Sequence, residues 1–264
     1  MKVSVVVVCL NAGEELSATV QSVLMQNYED FEIIIKDGGS RDGSLEKLPG
    51  DERIKVYREA DQSIYDAMNQ AIRYTTGDYL LFLNCGDYLA DAKVLGRIVK
   101  VICKTGADIV YGDLRRRGQN AVIVSPEAIT DFVCYRNIPC HQVCFYHKRL
   151  FAERGYDLAY PVRADYEHFL WCKYEKKASF AHGDFVVAEY EGEGYSETKE
   201  NLKKAAGEHR RITGKYLGKK CILYRGIMIV TLQPIRKKMA ESRLFSGLYQ
   251  GLKKKIYGAG KKKG

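Results

Sequence analysis

No stretch of this 264-residue chain reaches the roughly 18–20 consecutive apolar residues that cross a bilayer as a helix. The opening run, Val3 to Leu10, has one positive charge before it and no small-residue cleavage site. It leads into a polar loop and therefore reads as a strand rather than a secretory signal. The eight cysteines contain no CxxC pair. Cys140 and Cys144 lie close to His141 and His147, but strand alternation would scatter these four between two faces. The pattern favours buried thiols in a reducing, intracellular compartment over a zinc site. No internal repeat is visible, which argues against solenoid and propeller architectures.

What is present is a hydrophobic fraction of 46%, sufficient for a sizeable core. The length allows one α/β domain of about 200–250 residues plus an appendage. Charge is unevenly spread. The net charge is +9, but residues 201–264 carry 18 Lys/Arg against 2 Asp/Glu, a net of +16, leaving −7 for residues 1–200. An acidic body therefore carries a strongly basic tail.

The first half alternates strand and helix patterns. Val3–Leu10 is a continuous apolar run, as a buried parallel strand requires. Glu14 to Gln26 has apolar residues at helical spacing, and Phe31–Lys36 is a second strand. Ser44 to Leu48 predicts a short helix, Ile54–Tyr57 a third strand, and Ser63 to Thr75 a helix. Tyr79–Leu83, Lys93–Lys104 and Asp108–Gly112 continue the alternation. The order predicts a mostly parallel, Rossmann-like sheet with helices on both faces, and ligands outside the carboxyl ends of its strands. Beyond Arg115 the pattern is mixed. Strands are expected at Val122–Val124, Gln142–Tyr146 and Phe185–Tyr190, and helices at Lys148–Arg154 and Asp165–Tyr174. Residues 1–110 are expected to form a donor-binding half, 111–200 an acceptor and catalytic half, and 201–264 a basic helical extension.

Four polar stations close the strands. Cys9-Leu10-Asn11 presents backbone groups and a short polar side chain to a base or ribose; the competing account is a turn with Asn as a helix cap. Asp37-Gly38-Gly39-Ser40-Arg41-Asp42-Gly43-Ser44 follows strand two. Asp37 is the first acid after an apolar strand and suits an N–H or hydroxyl donor, whereas Asp42 and Ser44 read as turn or cap residues. Asp61 ends strand three, and Tyr65, Asp66 and Asn69 share a helix face beyond it, as a ligand wall or as a capped helix. Phe82-Leu83-Asn84-Cys85-Gly86-Asp87 ends strand four. A diphosphate needs a hard divalent cation with oxygen ligands and open positions, and one Asp with phosphate and water would serve.

In combination these stations resemble the inverting family-two glycosyltransferases of GT-A fold, over roughly residues 1–200, and most closely the branch that builds bacterial capsules, exopolysaccharides and related surface glycans. The resemblance implies transfer of a sugar from a nucleotide-diphosphate sugar, with uridine as the nucleotide, to a sugar or lipid-linked acceptor. It implies that Asp37 contacts the nucleobase, that Asp61 lies in the nucleoside pocket, and that Asp87 binds Mn²⁺ or Mg²⁺. Cys9, Leu10, Asn11, Gly38, Tyr65, Asn69, Asn84, Cys85 and Gly86 complete the expected donor site. Many members carry Asp-x-Asp-Asp at the fourth station. Here Asn84 and Gly86 leave Asp87 as its only carboxylate, with His141 or His182 as further possible ligands.

The family places a catalytic base at the Asp of a Glu-Asp pair opening a helix in the second half. Asp165 matches the Asp, and Ala164 replaces the Glu. Glu167 is the reserve base, and the alternative makes Asp165 an N-cap with Glu167 and His168 facing solvent. Pro139-Cys140-His141-Gln142 resembles the acceptor-side motif, making His141 and Gln142 acceptor residues, and Tyr195 and Ser196 belong to a Gly-rich loop placed to close over the donor. Processive synthases of the family carry Gln-x-x-Arg-Trp. The single tryptophan, Trp171, lies in Leu170-Trp171-Cys172, so one sugar per encounter is expected.

The Cys221–Leu232 stripe, flanked by Lys and Arg, fits an interfacial helix on an anionic membrane surface and a peripheral place at the inner face of the cell membrane. A helix packed on the body is the alternative. No aromatic platform points to nucleic acid. Two competing functions fit part of the pattern. A nucleotidyltransferase would want a basic Gly-rich loop where Asn11-Ala12-Gly13-Glu14-Glu15 is acidic, and a catalytically inactive sugar-nucleotide-binding protein would accord with Ala164.

Overall fold

The computed structural model describes residues 1–117, 121–190 and 198–230. Two compact units are separated at Tyr216/Leu217. In the first, the strands are β1 (Val3–Cys9), β2 (Phe31–Asp37), β3 (Ile54–Arg58), β4 (Tyr79–Phe82), β5 (Tyr88–Leu89), β6 (Ile109–Arg116), β7 (Val122–Ile123), β8 (Cys144–His147) and β9 (Phe180–Tyr190). The helices are α1 (Glu14–Leu24), α2 (Ile64–Ile72), α3 (Val94–Thr105), α4 (Asp131–Arg136), α5 (Ala164–Tyr174) and α6 (Lys199–Leu217).

The strands form one sheet in the order β3-β2-β1-β4-β8-β6-β9-β5, with β7 paired to β6. β3, β2, β1 and β4 are parallel, β8 runs antiparallel between β4 and β6, and β9 returns parallel to β6. β1 and β2 are mostly apolar because both faces are covered, and the valines and isoleucines at their centres are fully buried. Register places Cys9 beside Asp37 and Asp37 beside Arg58. The carboxyl ends of β1, β2 and β3 thus align along one edge, and the turn after β4 opens there too, since Leu83 N donates to Val6 O.

Several elements differ from expectation. Residues 44–48 form turns rather than a helix, after Gly43 at φ 78°. The strand expected from Gln142 begins at Cys144, because His141–Val143 forms a 3-10 turn. Lys148–Arg154 shortens to a 3-10 turn over Lys148–Phe151. β9 starts five residues earlier than expected, extended by its long pairing with β6. β5 and α4 had no counterpart in the sequence reading.

The body extends past residue 201. α6 buries Ala205, Glu208, Ile212 and Thr213, so the expected tail boundary falls inside an element of the first unit. In the second unit, α7 (Lys220–Val230) exposes Ile222, Leu223 and Ile229. Among the described residues no helix is long and apolar enough to cross a membrane.

Candidate active site

The loops after β1 and β2 are tied to one another. Asn11 sits at φ 51°, accepts from Arg41 N through Oδ1 (3.0 Å), and donates its own N–H to Ser40 Oγ (2.8 Å). Asp37 is fully buried and committed to its own loop. It accepts from Gly39 N (3.1 Å), Ser40 N (3.0 Å) and Ser40 Oγ (2.5 Å), and Arg58 Nε lies 3.2 Å away. Four donors nearly exhaust the acceptor capacity of one carboxylate, so Asp37 shapes the loop, and the acid open beside it is Asp61. Asp61 pairs with Lys36 at 2.6 Å and keeps 15% of its side chain exposed. Leu10 projects outward at 59% exposure.

The α2 residues divide by role. Ser63 Oγ accepts from Asp66 N (3.2 Å) and Asp66 Oδ2 from Gln62 N (2.9 Å), a reciprocal cap. Asn69 is held on both sides by the Tyr156 backbone, at 2.9 and 2.7 Å, so its amide fixes the chain at Gly155–Tyr156 rather than facing the cleft. Tyr65 crosses to the second half, donating to Asp165 Oδ1 at 2.8 Å.

Asp165 is the centre of a connected set. His141 Nδ1 lies 3.3 Å from Asp165 Oδ2, and Asn84 Nδ2 lies 3.2 Å from His141 Nε2. The pairing that satisfies all three groups puts the imidazole proton on Nδ1, an assignment from hydrogen bonding. Burial alone would raise the Asp165 pKa, but the hydrogen bond and electrostatic pull of His141, followed by the Tyr65 hydroxyl, outweigh it and hold the carboxyl below its ordinary range. The stations after β4 and α2 thus meet the second-half acid.

Asp87 follows the turn Asn84–Asp87 and is 7% exposed. Burial pushes its pKa up to about 6, against the hydrogen bond from Gln142 Nε2 (3.2 Å) and the nearby His141. Asn84 Oδ1 is buried without a hydrogen-bond partner among the described residues. A buried carboxylate of this kind beside an orphaned oxygen is a hard, oxygen-donor setting that a divalent cation would stabilise. No cluster of three or more His, Cys, Asp or Glu that could hold a metal occurs among the described residues. His182 is engaged with Asp113 at 3.0 Å, His147 Nδ1 accepts from Arg149 N, and the Cys144 thiol donates to the Cys140 carbonyl. Gly86, at φ 89°, donates its N–H to Thr19 Oγ1, and Cys85 Sγ approaches Val8 O, so both shape the turn.

Glu167 is not on the cleft or in solvent. It is fully buried, accepting from Arg154 (2.7 Å), Lys215 (2.8 Å) and the Tyr216 hydroxyl (2.5 Å). His168 is likewise fully buried, stacked on Phe151 with centroids 4.4 Å apart. Tyr195 and Ser196 lie outside the described residues. Sequence reasoning missed Lys36, whose charge directly after the apolar run Ile33–Ile35 was the available signal. It also missed Glu208, which accepts from Val162 N (3.1 Å) and Arg163 N (2.8 Å) at the start of α5.

A mostly parallel sheet with acids and amides at its strand tips, tied to a half-buried carboxylate on a later helix, is the arrangement of a GT-A-like transferase. The family model described as Glycosyl transferase family 2 matches residues 4–158, and the chain belongs to that family. It is 36% identical over 212 residues, 76% of this chain and 82% of the relative, to a PGL/p-HBAD biosynthesis glycosyltransferase of Mycobacterium bovis. It resembles the structure of S. aureus TarS 1–349 in complex with UDP-GlcNAc at TM-score 0.62 and 17% identity, covering 82% of this chain and 72% of that one. It also resembles the mannosyltransferase PcManGT from Pyrobaculum calidifontis in complex with GDP-Man and Mn²⁺, at TM-score 0.58 and 12% identity, covering 94% and 83%. These two likenesses establish the GT-A fold.

Proposed function

We propose that this glycosyltransferase is inverting and non-processive, moving one sugar from a UDP-linked donor to a hydroxyl of a glycan or lipid-linked glycan in bacterial surface polysaccharide synthesis. The observation that carries the reading is the Asn84–His141–Asp165–Tyr65 set, which ties the acid of the second half to two donor-side stations. Asp165 takes the acceptor hydroxyl's proton while that oxygen attacks the anomeric carbon. The bond to the nucleotide diphosphate breaks on the opposite face, and the proton ends on Asp165. Tyr65 and His141 each hold one carboxylate oxygen, fixing its orientation and leaving lone pairs for the acceptor. Residues 1–110 serve the donor, and 111–200, through His141 and Gln142, the acceptor.

Asp87, with Asn84 beside it, would hold Mn²⁺ or Mg²⁺, and the cation would offset charge on the departing diphosphate. The UDP and Mn²⁺ of the two solved neighbours support this donor chemistry. The apolar exposure of α7 and the net +16 of residues 201–264 support docking on an anionic lipid surface at the inner face of the cell membrane, which flotation with anionic against neutral vesicles tests.

The test is UDP release from a panel of UDP-sugars with Mn²⁺ and a glycan acceptor. Asp165→Asn is expected to lower turnover by about 10²–10⁴ while leaving the circular dichroism spectrum unchanged. Full turnover by Asp165→Asn would remove the base assignment.

A further inference from the structure

The Lys36 side chain is wholly excluded from solvent near the end of β2, where an unpaired ammonium is strongly disfavoured. Its hydrogen-bonding partner among the described residues is Asp61 Oδ2, at 2.6 Å. The seat that Asp61 occupies exists because position 38 is glycine. A Cβ on Gly38 would lie 2.7 Å from Asp61 Oδ2 and 3.5 Å from Leu10 Cδ1. The Gly38 backbone is not among the positive-φ residues, so the glycine supplies space rather than conformational freedom. Asp37 is already committed to Gly39, Ser40 and Arg58.

We propose that Lys36 is a positioning residue. Its buried ammonium holds Asp61 by one oxygen, in the space Gly38 leaves beside Leu10, so that the second oxygen is presented to the nucleoside end of the donor. A carboxylate only accepts, so it selects N–H and O–H groups, the imide edge of a nucleobase or a ribose hydroxyl. Lys36, Gly38 and Asp61 thereby act as one unit, with the loop acid next to Gly38 left to structural duty. The inference rests on the donor-site reading above.

The experiment is calorimetric titration of the full chain with UDP, CDP and pyrophosphate, each with Mn²⁺, for wild type, Lys36→Met, Gly38→Ala, Asp61→Ala and Gly38→Ala/Asp61→Ala. Gly38→Ala removes no buried group, so it keeps the test valid where Lys36→Met does not fold. Gly38→Ala is expected to weaken UDP roughly tenfold or more, with pyrophosphate affinity unchanged. It should cost nothing further in the Asp61→Ala background, because the displaced group is gone. A UDP preference over CDP that collapses in Gly38→Ala assigns the contact to the imide edge, and equal weakening of UDP and CDP assigns it to ribose; either supports the positioning role. Unchanged UDP affinity in Gly38→Ala, or equal weakening of UDP and pyrophosphate, overturns it. Wild type that binds neither UDP nor pyrophosphate would instead sink the donor site itself.

Discussion

Asp165 and His168 lie three residues apart on α5, and their surroundings push them in different ways. Asp165 finds two donors that hold its carboxyl below its ordinary range, as the proposed role of base requires. His168 finds none among the described residues: both ring nitrogens lack hydrogen-bond partners there, and it is packed among Phe151, Tyr156 and Trp171. Burial, then the nearby Arg154 charge, lowers its pKa from 6.5 to about 3. The folded state therefore binds its proton less readily than the unfolded state. Stability from the neutral form is complete above pH 6.5 and is lost as pH falls from there toward 3. Urea unfolding of wild type and His168→Phe should show wild type losing roughly 2 kcal/mol relative to the variant between pH 7 and pH 5. Parallel pH profiles would mean that His168 takes up its proton as readily in the fold as in the unfolded chain.

Residue-level chemistry was legible where it followed directly from a strand's end. Asp61, Asn84 and Asp87 fall where apolar runs stop, and the structure sets them at the strand tips. The partner that fixes each was not legible. Lys36 and Asp61 are 25 positions apart, Gln142 and Asp87 are 55, and Tyr65 and Asp165 are 100. Asn69 and Asp37 look identical in sequence whether they face a ligand or a backbone. Only the placement of Tyr156 and of the Ser40 loop decides it.

Elements show the same division. β1 and β2 are continuous apolar runs and α2 has apolar residues at helical spacing, and these elements and α5 formed close to their expected bounds. β5 is two residues long and exists through its pairing with β9, so no local pattern marks it. The reversed direction of β8 is a property of the sheet, not of its residues. α6 looked like the start of a basic tail because its exposed face is basic, while its other face buries Ile212 and Glu208. Glu208 gives α6 a definite task. The N-cap position of α5, Arg163, has no side-chain cap of its own, and Glu208 accepts from two backbone N–H groups there, two residues from the proposed base. Glu208→Ala is expected to cost about 2 kcal/mol by urea unfolding and to lower turnover through loosening of Asp165. An unchanged unfolding midpoint would show that the α5 start is held by other contacts.

For the molecule as a whole, charge and architecture separate along the chain. The first unit sets acids and amides at one edge of a parallel sheet, and the region past residue 200 carries the positive charge. With Asp165 as the proposed base beside the proposed donor site, the reaction would be a single displacement at the sugar carbon. The anomeric configuration of the product, read from the anomeric proton coupling by NMR after transfer from a UDP-sugar of known configuration, tests this most directly. The account predicts the configuration opposite to that of the donor; a product that keeps the donor's configuration would contradict it.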